Sequence, residues 1–274
     1  MRKVFYLVLI VVLAVLLLVE LYRSNHIIDL ERITVTRPNL PEGFDGFKIA
    51  HISDLHGAQF GVDNADLIAM IREEKPDIIV ITGDYVDTTS RDLDMVYATA
   101  RDLAAVAPCY FVPGNHEYKE GFASIKKELE RAGVTVLQNQ AVEIERNGDA
   151  ITLLGVDDPN GRADMITMEE AVRLAKQRGP DFLLMLNHRY SRAEEASALG
   201  ADVMLAGHAH GGLIRLPFTD GIVGPSYKWF PKHTNGLYDI DGMALVTSRG
   251  LGNAGMTRRL FNPPHLPIIE LKVG

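Results

Sequence analysis

The chain has 274 residues, 47% of them hydrophobic and 23% charged, which suits one large α/β unit and excludes a disordered chain. Its 36 acidic residues outnumber the 28 basic ones, and the resulting charge of −8 makes duplex nucleic acid an unexpected partner for want of counter-charge to the phosphates. The single cysteine, Cys109, excludes an intrachain disulfide framework and a cysteine-rich zinc module.

The first element is an unbroken apolar run from Val4 to Val19, with Arg2 and Lys3 before it and Glu20 after it. Continued through Tyr22, it predicts a helix roughly 27 Å long, close to the thickness of a bilayer's hydrocarbon core. Small residues in an A-x-A arrangement are missing after the run, so residues 1–22 read as a retained signal-anchor helix instead of a cleaved leader. A single span at this end leads the following domain across the membrane, so a single-pass membrane protein with its folded domain outside the cytoplasm is expected. Residues 23–46, punctuated by Pro38, Pro41, Gly43 and Gly46, read as a juxtamembrane linker with room for an edge strand at residues 33–36. The folded domain is expected over residues 47–274.

Within it, a β-rich run at residues 47–53 ends in Asp54-Leu55-His56-Gly57. Residues 64–75 carry helical spacing through Leu67, Ile68 and Ile71, with Pro76 as the stop. Residues 77–82 (Asp-Ile-Ile-Val-Ile-Thr) carry an unbroken apolar run between Asp77 and Thr82, as in a strand covered on both faces. A helix opening at Ser90, a strand at residues 109–112 and a helix near residues 122–132 complete an alternation typical of an α/β sheet. Strands follow at 134–137 and 142–145, and Asn147-Gly148 marks a hairpin into residues 151–156. Thr167 and Glu170 form a capping-box pattern for a helix that stops at Gly179-Pro180. Apolar strands at 182–186 and 202–205 flank a short helix, and strands with many turns fill the rest from Leu213. Two packed sheets with helices outside are expected.

The strand ends carry the chemistry. Asp54 and His56 close the first run, Asp84 and Asp87 follow the second, and Asn115, His116 and Glu117 follow the third. Asn187-His188 ends the strand at 182–186, and Gly207-His208-Ala209-His210-Gly211 ends the strand at 202–205. Carboxyl ends of strands in an open α/β sheet share one crevice, so five clusters of Asp, Asn and His point to one place. Adjoining glycines (Gly57, Gly83, Gly114, Gly207, Gly211) permit the turns and close approach such a crevice needs.

In order and type, Asp54-x-His56, Gly83-Asp84, Gly114-Asn115-His116-Glu117, His188 and Gly207-His208-x-His210 resemble the motifs of the calcineurin-like metallophosphoesterases. With the apolar N-terminus, Val156-Asp157-Asp158-Pro159 and the Ser248-Arg249-Gly250-Leu251-Gly252 loop, the chain is similar to a bacterial membrane-associated phosphodiesterase branch of that family. The resemblance implies a four-layer α/β sandwich and a dinuclear centre of two divalent ions, Mn, Fe or Zn. In that scheme Asp54, His56 and His210 hold one ion, Asn115, His188 and His208 the other, and Asp84 bridges them. Imidazole nitrogen suits such ions, and carboxylates reduce the charge and span both.

The resemblance further implies hydrolysis of a phosphodiester, phosphomonoester or pyrophosphate by a bridging hydroxide. His116 would serve the leaving oxygen and Asp87 would orient His116. The Gly-Asp-x-x-Asp motif is shared with the phosphoprotein phosphatases, but Thr88 stands where those enzymes carry a phosphate-gripping arginine. Arg189 and Arg249 are the candidates to replace it. A membrane location favours a lipid-linked or envelope substrate. A nuclease, a cyclic-nucleotide phosphodiesterase and a non-catalytic metal-binding membrane adaptor are the rival readings. His51 is expected in the core, and His26, His233 and His265 exposed. Tyr227, Trp229 and Phe230 are expected as a lip at the substrate's entry, a contact to lipid headgroups, or packing beneath a loop.

Overall fold

The computed structural model describes the chain except residues 88–91, 162–164, 217–219, 225–228 and 256. Thr88, Ser90 and Tyr227, singled out above, therefore lie outside the described residues.

The apolar run forms a single 25-residue helix, α1 (Arg2–His26), long and apolar enough to cross a membrane, with its apolar side chains exposed. The segment expected to be a linker is largely built into the domain. Residues Asp29–Arg37 form β1, whose alternation buries Ile33 and Val35, and which pairs in parallel with the C-terminal strand β12 (His265–Val273) over its full length.

Two six-stranded mixed sheets make up the body. The first runs β1-β12-β2-β3-β4-β5, with β2 at Phe47–Ile52, β3 at Ile78–Ile81, β4 at Cys109–Phe111 and β5 at Thr135–Val136. The second runs β10-β11-β9-β8-β7-β6, with β6 at Gln140–Arg146, β7 at Asp149–Val156 and β8 at Leu183–Arg189. Its remaining strands are β9 at Val203–Gly207, β10 at Gly236–Ile240 and β11 at Met243–Thr247. The Asn147-Gly148 hairpin joins β6 to β7, both of its residues having positive φ (53° and 89°), as a two-residue turn of that hand requires.

Burial on both faces explains why the central strands are continuously apolar. Between the sheets, Ile49, Val80, Leu153, Leu184, Leu205 and Val246 form one core. The other face of the first sheet packs on α2 (Ala65–Glu74), α3 (Leu93–Ala104) and α5 (Phe122–Arg131), through residues such as Ile52, Leu67, Ile81, Val96 and Leu129. The outer face of the second packs on α6 (Met168–Arg178) and α7 (Ala193–Ala198), through Met185, Met204, Val172 and Ala196. This is the four-layer arrangement that was expected. The Asp92 side chain accepts from the amides of Asp94 and Met95 to cap α3, and Thr167 accepts from Glu170 to cap α6. A short helix, α4 (Asn115–Glu120), begins directly after β4's loop, at Asn115.

Strands β2, β3 and β4 are mutually parallel, as are β7, β8, β9 and β11, so the loops leaving them emerge together. Backbone bonds knit those loops: the Asp54 amide donates to Gly83 (3.0 Å), the His56 amide to Asp84 (3.0 Å) and the Gly252 amide to Asp54 (2.7 Å).

Candidate metal centre

Of the seven residues expected to hold ions, five sit in the left-handed region: Asp54 (φ 49°), His56 (47°), Asp84 (50°), His208 (67°) and His210 (47°). Non-glycine residues rarely occupy this conformation, and such strain gathers where the backbone must aim a side chain. His188 is aimed differently. The β8–β9 register shifts between Leu186 and Arg189, an irregularity that turns the strand's end into the crevice. Gly207 is obligatory, since a Cβ there would collide with Ser53 Oγ and the Asp54 carboxylate.

The side chains converge as two facing clusters. Asp54, His56 and His210 each offer a donor atom, all within 4.8 Å of one another, and Asp84, His188 and His208 do the same. Asp54 Oδ2 accepts from Ser53 Oγ (2.6 Å) and the His208 amide (3.0 Å), leaving Oδ1 toward His210 Nε2 at 3.4 Å. Asp84 Oδ1 accepts from the His116 amide (2.9 Å), while Oδ2 lies 3.2 Å from His188 Nε2 and 3.8 Å from His56 Nε2. One carboxylate oxygen thus faces both clusters. His188 Nδ1–H donates to the Thr82 carbonyl (2.8 Å), and Nε2 is turned to the centre, 3.0 Å from His208 Nδ1. Asn115 Oδ1 is buried and lacks a hydrogen-bond partner, an acceptor pointed into the site with nothing protein-made to satisfy it.

Electrostatics agree with the geometry. Burial holds His56, His208 and His210 down at about 3, so these rings are neutral donors at ordinary pH. Burial also disfavours charge on Asp84 and His188, but their mutual attraction outweighs it: Asp84 lies well below the usual carboxylate range and His188 is raised to about 10. Clustered neutral imidazoles, buried carboxylates and an orphaned amide oxygen form a donor set suited to divalent cations.

His116 contributes its backbone to Asp84 and presents its half-buried ring to the crevice, with Nδ1 3.3 Å from Asp87 Oδ1. Asp87 Oδ2 also accepts from the Gly255 amide (3.0 Å). A cavity of about 250 Å³ opens over the centre, bounded by His116, Lys119, His208, Leu213, Ala254 and Thr257 among others. A larger one, about 400 Å³, lies against α6 near Ala141, Val142 and Ala175 and carries none of these donors.

The contacts separate the two arginine candidates. Arg249 is buried, bonded to Asp29 (2.6 Å) and to Asn235, with Glu31 nearby, so its charge serves the β1 edge instead of substrate. Arg189 forms a two-pronged pair with the buried Asp158 (2.7 and 3.1 Å) and keeps part of its surface open. His265, expected exposed, is fully buried at the start of β12, where it bonds Glu31 (2.8 Å) and accepts from the Arg249 amide (3.2 Å). The parallel pairing with β1 is what covers it. His51 is a core residue as expected, 2.8 Å from Thr82 Oγ1.

Two residues without an assigned role shape the centre. Glu117 is fully buried, and its carboxylate accepts from the amides of Gly114 (2.7 Å), Asp84 (2.9 Å) and Tyr85 (2.7 Å), tying the β3 loop to the start of α4. Its spacing from Gly114 is the helix-capping signal that marks it. Arg259 is also fully buried; it donates to Gly252 O (2.6 Å) and Asn253 Oδ1 (3.0 Å) and reaches to 3.5 Å from His210 Nδ1. No local pattern marks it, because His210 and Asn25, which tie it to the centre and to α1, lie far away in the chain.

The fold and centre define a class. Residues 47–212 match the family described as calcineurin-like phosphoesterase, and the chain belongs to that family. It is 30% identical over 265 residues to a metallophosphoesterase of Aquifex aeolicus, covering 95% of this chain and 98% of that protein. It is 31% identical over 236 residues to phosphodiesterase YaeI of Escherichia coli, covering 82% of each. Among solved structures, the sulfate thiohydrolase SoxB of Thermus thermophilus shares the fold at a TM-score of 0.53 and 15% identity, over 86% of this chain and 58% of that one.

Proposed function

We propose that the chain is a membrane-anchored, dinuclear metal-dependent phosphoesterase, most simply a phosphodiesterase, acting on an envelope or lipid-linked substrate. The observation that carries this reading is Asp84 Oδ2, within 4 Å of imidazole nitrogens from both donor clusters. Asp54, His56 and His210 would hold one ion, Asn115, His188 and His208 the other, with Asp84 common to both and Mn, Fe or Zn as the candidates. When bound, such a pair supplies Lewis acidity and an acidified water for in-line displacement at phosphorus.

The chain's own groups supply the rest. His116 faces the cavity beside the centre and hands a proton to the departing oxygen, while Asp87, on its Nδ1 side, orients the ring. Arg189, steadied by Asp158, offers its remaining N–H groups to phosphate oxygens. Through α1 the domain is held at the lipid surface, outside the cytoplasm, with residues 1–22 as the anchor. A reporter fused at the C-terminus checks that side: activity of a reporter that works only in the cytoplasm contradicts it.

Hydrolysis of a bis-aryl phosphodiester by the purified full chain with added Mn²⁺ tests the activity. Asp84→Asn should abolish turnover, and His116→Ala should lower kcat by about 10²–10⁴-fold. Turnover that survives both substitutions contradicts the assignment of the centre, and its absence from the intact chain across a panel of phosphoesters contradicts the proposal and favours a binding adaptor.

A further inference from the structure

The last turn of α1 is bonded to the loop that borders the centre. Asn25 donates to Arg259 O (3.0 Å) and accepts from the Arg259 amide (3.1 Å) and Asn253 (3.1 Å), and Ser24 Oγ accepts from the Asn262 amide (3.2 Å). A hydrocarbon core of about 30 Å takes up about 20 helical residues. Counted from Val4, that places Arg23 to His26, and the loop bonded there, at headgroup level.

From this loop a small ladder runs outward. Leu260 bridges to Ile214, the Ile222 amide donates to Ile214 O (2.8 Å), the Phe230 amide donates to Ile222 O (2.9 Å), and Val223 bridges to Trp229. Eight large apolar side chains are exposed beyond α1 among the described residues, and Leu216, Trp229, Phe230 and Phe261 on this ladder make up half of them. Trp229 and Phe230 are 67% and 71% exposed. Charge also inverts here. Among the described residues of 213–233 and 253–262, Lys232 and Arg258 are exposed and Arg215 is partly so, against one acid, Asp220, in a chain that is acidic as a whole. Leu213, Gly224, Ala254 and Thr257 of the same segments border the cavity over the centre.

We propose that this aromatic, basic ladder is a second membrane contact, seating Trp229, Phe230 and Phe261 among anionic phospholipid headgroups and turning the mouth of the centre toward the lipid surface. Aromatic rings prefer the interface, and each basic group near an anionic leaflet adds to the attraction. The proposal rests on α1 being a membrane anchor, as read above, and it narrows the substrate to a phosphoester presented at the bilayer surface.

Trp229 is the chain's single tryptophan, so its emission reports on this face alone. The full chain is placed in lipid nanodiscs, whose two faces are open to solvent, made from phosphatidylcholine with phosphatidylglycerol. Brominated phosphatidylcholine should remove most of the emission, and aqueous iodide should remove little. Arg258→Glu with Lys232→Glu should reverse that balance while hydrolysis of the soluble bis-aryl ester stays unchanged. Emission that iodide quenches as fully as in the urea-unfolded chain, and that bromolipid leaves intact, overturns the contact. Because the reading is optical, it stands or falls separately from whether the chain hydrolyses phosphoesters.

Discussion

Glu117 contributes no atom to either donor cluster, yet its buried carboxylate gathers the amides on which the Asp84 loop turns. Exchanging it for glutamine replaces an acceptor by an N–H₂ group that faces backbone donors, at a cost of about 1–3 kcal/mol. Glu117→Gln should therefore melt several degrees lower by calorimetry and lose hydrolysis through misplacement of Asp84, with the overall secondary structure retained in circular dichroism. Asp84 and His188 support a second residue-level expectation. Burial alone would drive the His188 ring to its neutral form, but the facing carboxylate raises it to about 10, so the ion-free pair carries a proton at neutral pH. A cation must displace that proton, whereas His56, His208 and His210, held at about 3, have none to lose. Titration calorimetry at pH 7 in buffers of different ionisation enthalpy should show about one proton released on loading the centre. In Asp84→Asn, burial dominates His188 and the release should vanish.

At the scale of elements, the end of α1 is built into the loop beside the centre. Its Asn25 grips the backbone of Arg259, whose guanidinium lies against His210, and Asn262, bonded to Ser24, donates to the His210 carbonyl (2.7 Å). Removing an outer partner of this kind lowers metal affinity by about 10–100-fold in comparable sites. Arg259→Met should do so for the Asp54–His56–His210 cluster, and Asn25→Ala should act in the same direction by less. A Mn²⁺ titration followed by both bound metal and hydrolysis would separate weakened binding from lost chemistry. None of this was legible in the chain. The donor residues could be read because each ends an apolar run, and a run that stops in Asp, Asn or His announces its own role. The strands β2, β3, β8 and β9 were legible for the same reason. Arg259 and Asn25 could not be read, because they meet across 234 residues of chain, and β1 was hidden because its partner, β12, lies at the opposite terminus. Arg249 is the opposite case: it was a candidate to grip phosphate, but the β1 carboxylates Asp29 and Glu31 engage it once that strand has docked.

Across the molecule, the first sheet's far edge carries a pH liability that is separate from the centre. His265, at the β1–β12 junction, and His51, on β2, are fully buried and held at about 4 and about 3, chiefly by desolvation. Their folded values lie below the ordinary value near 6.5, so the unfolded chain takes up protons that the folded chain refuses. These two groups do not penalise folding above pH 6.5, and the penalty grows as pH falls toward their folded values. At pH 5 each would remove about 2 kcal/mol, from about 1.4 kcal/mol per unit. Glu31, lowered by its bond to His265, changes in the same sense only at more acidic pH. Urea unfolding of the full chain in detergent should accordingly lose stability steeply between pH 6.5 and 4. His265→Asn, whose Oδ1 can still accept from the Arg249 amide and which does not titrate, should flatten that slope by about one proton's worth while weakening the chain somewhat at pH 8. Saturating Mn²⁺ should raise stability at pH 8 in proportion to the logarithm of its concentration and leave the His265 contribution to the acid slope in place. If the asparagine variant keeps the full slope, the loss belongs to His51 or the imidazoles of the centre, and the β1–β12 junction is not the first part of the molecule to yield to acid.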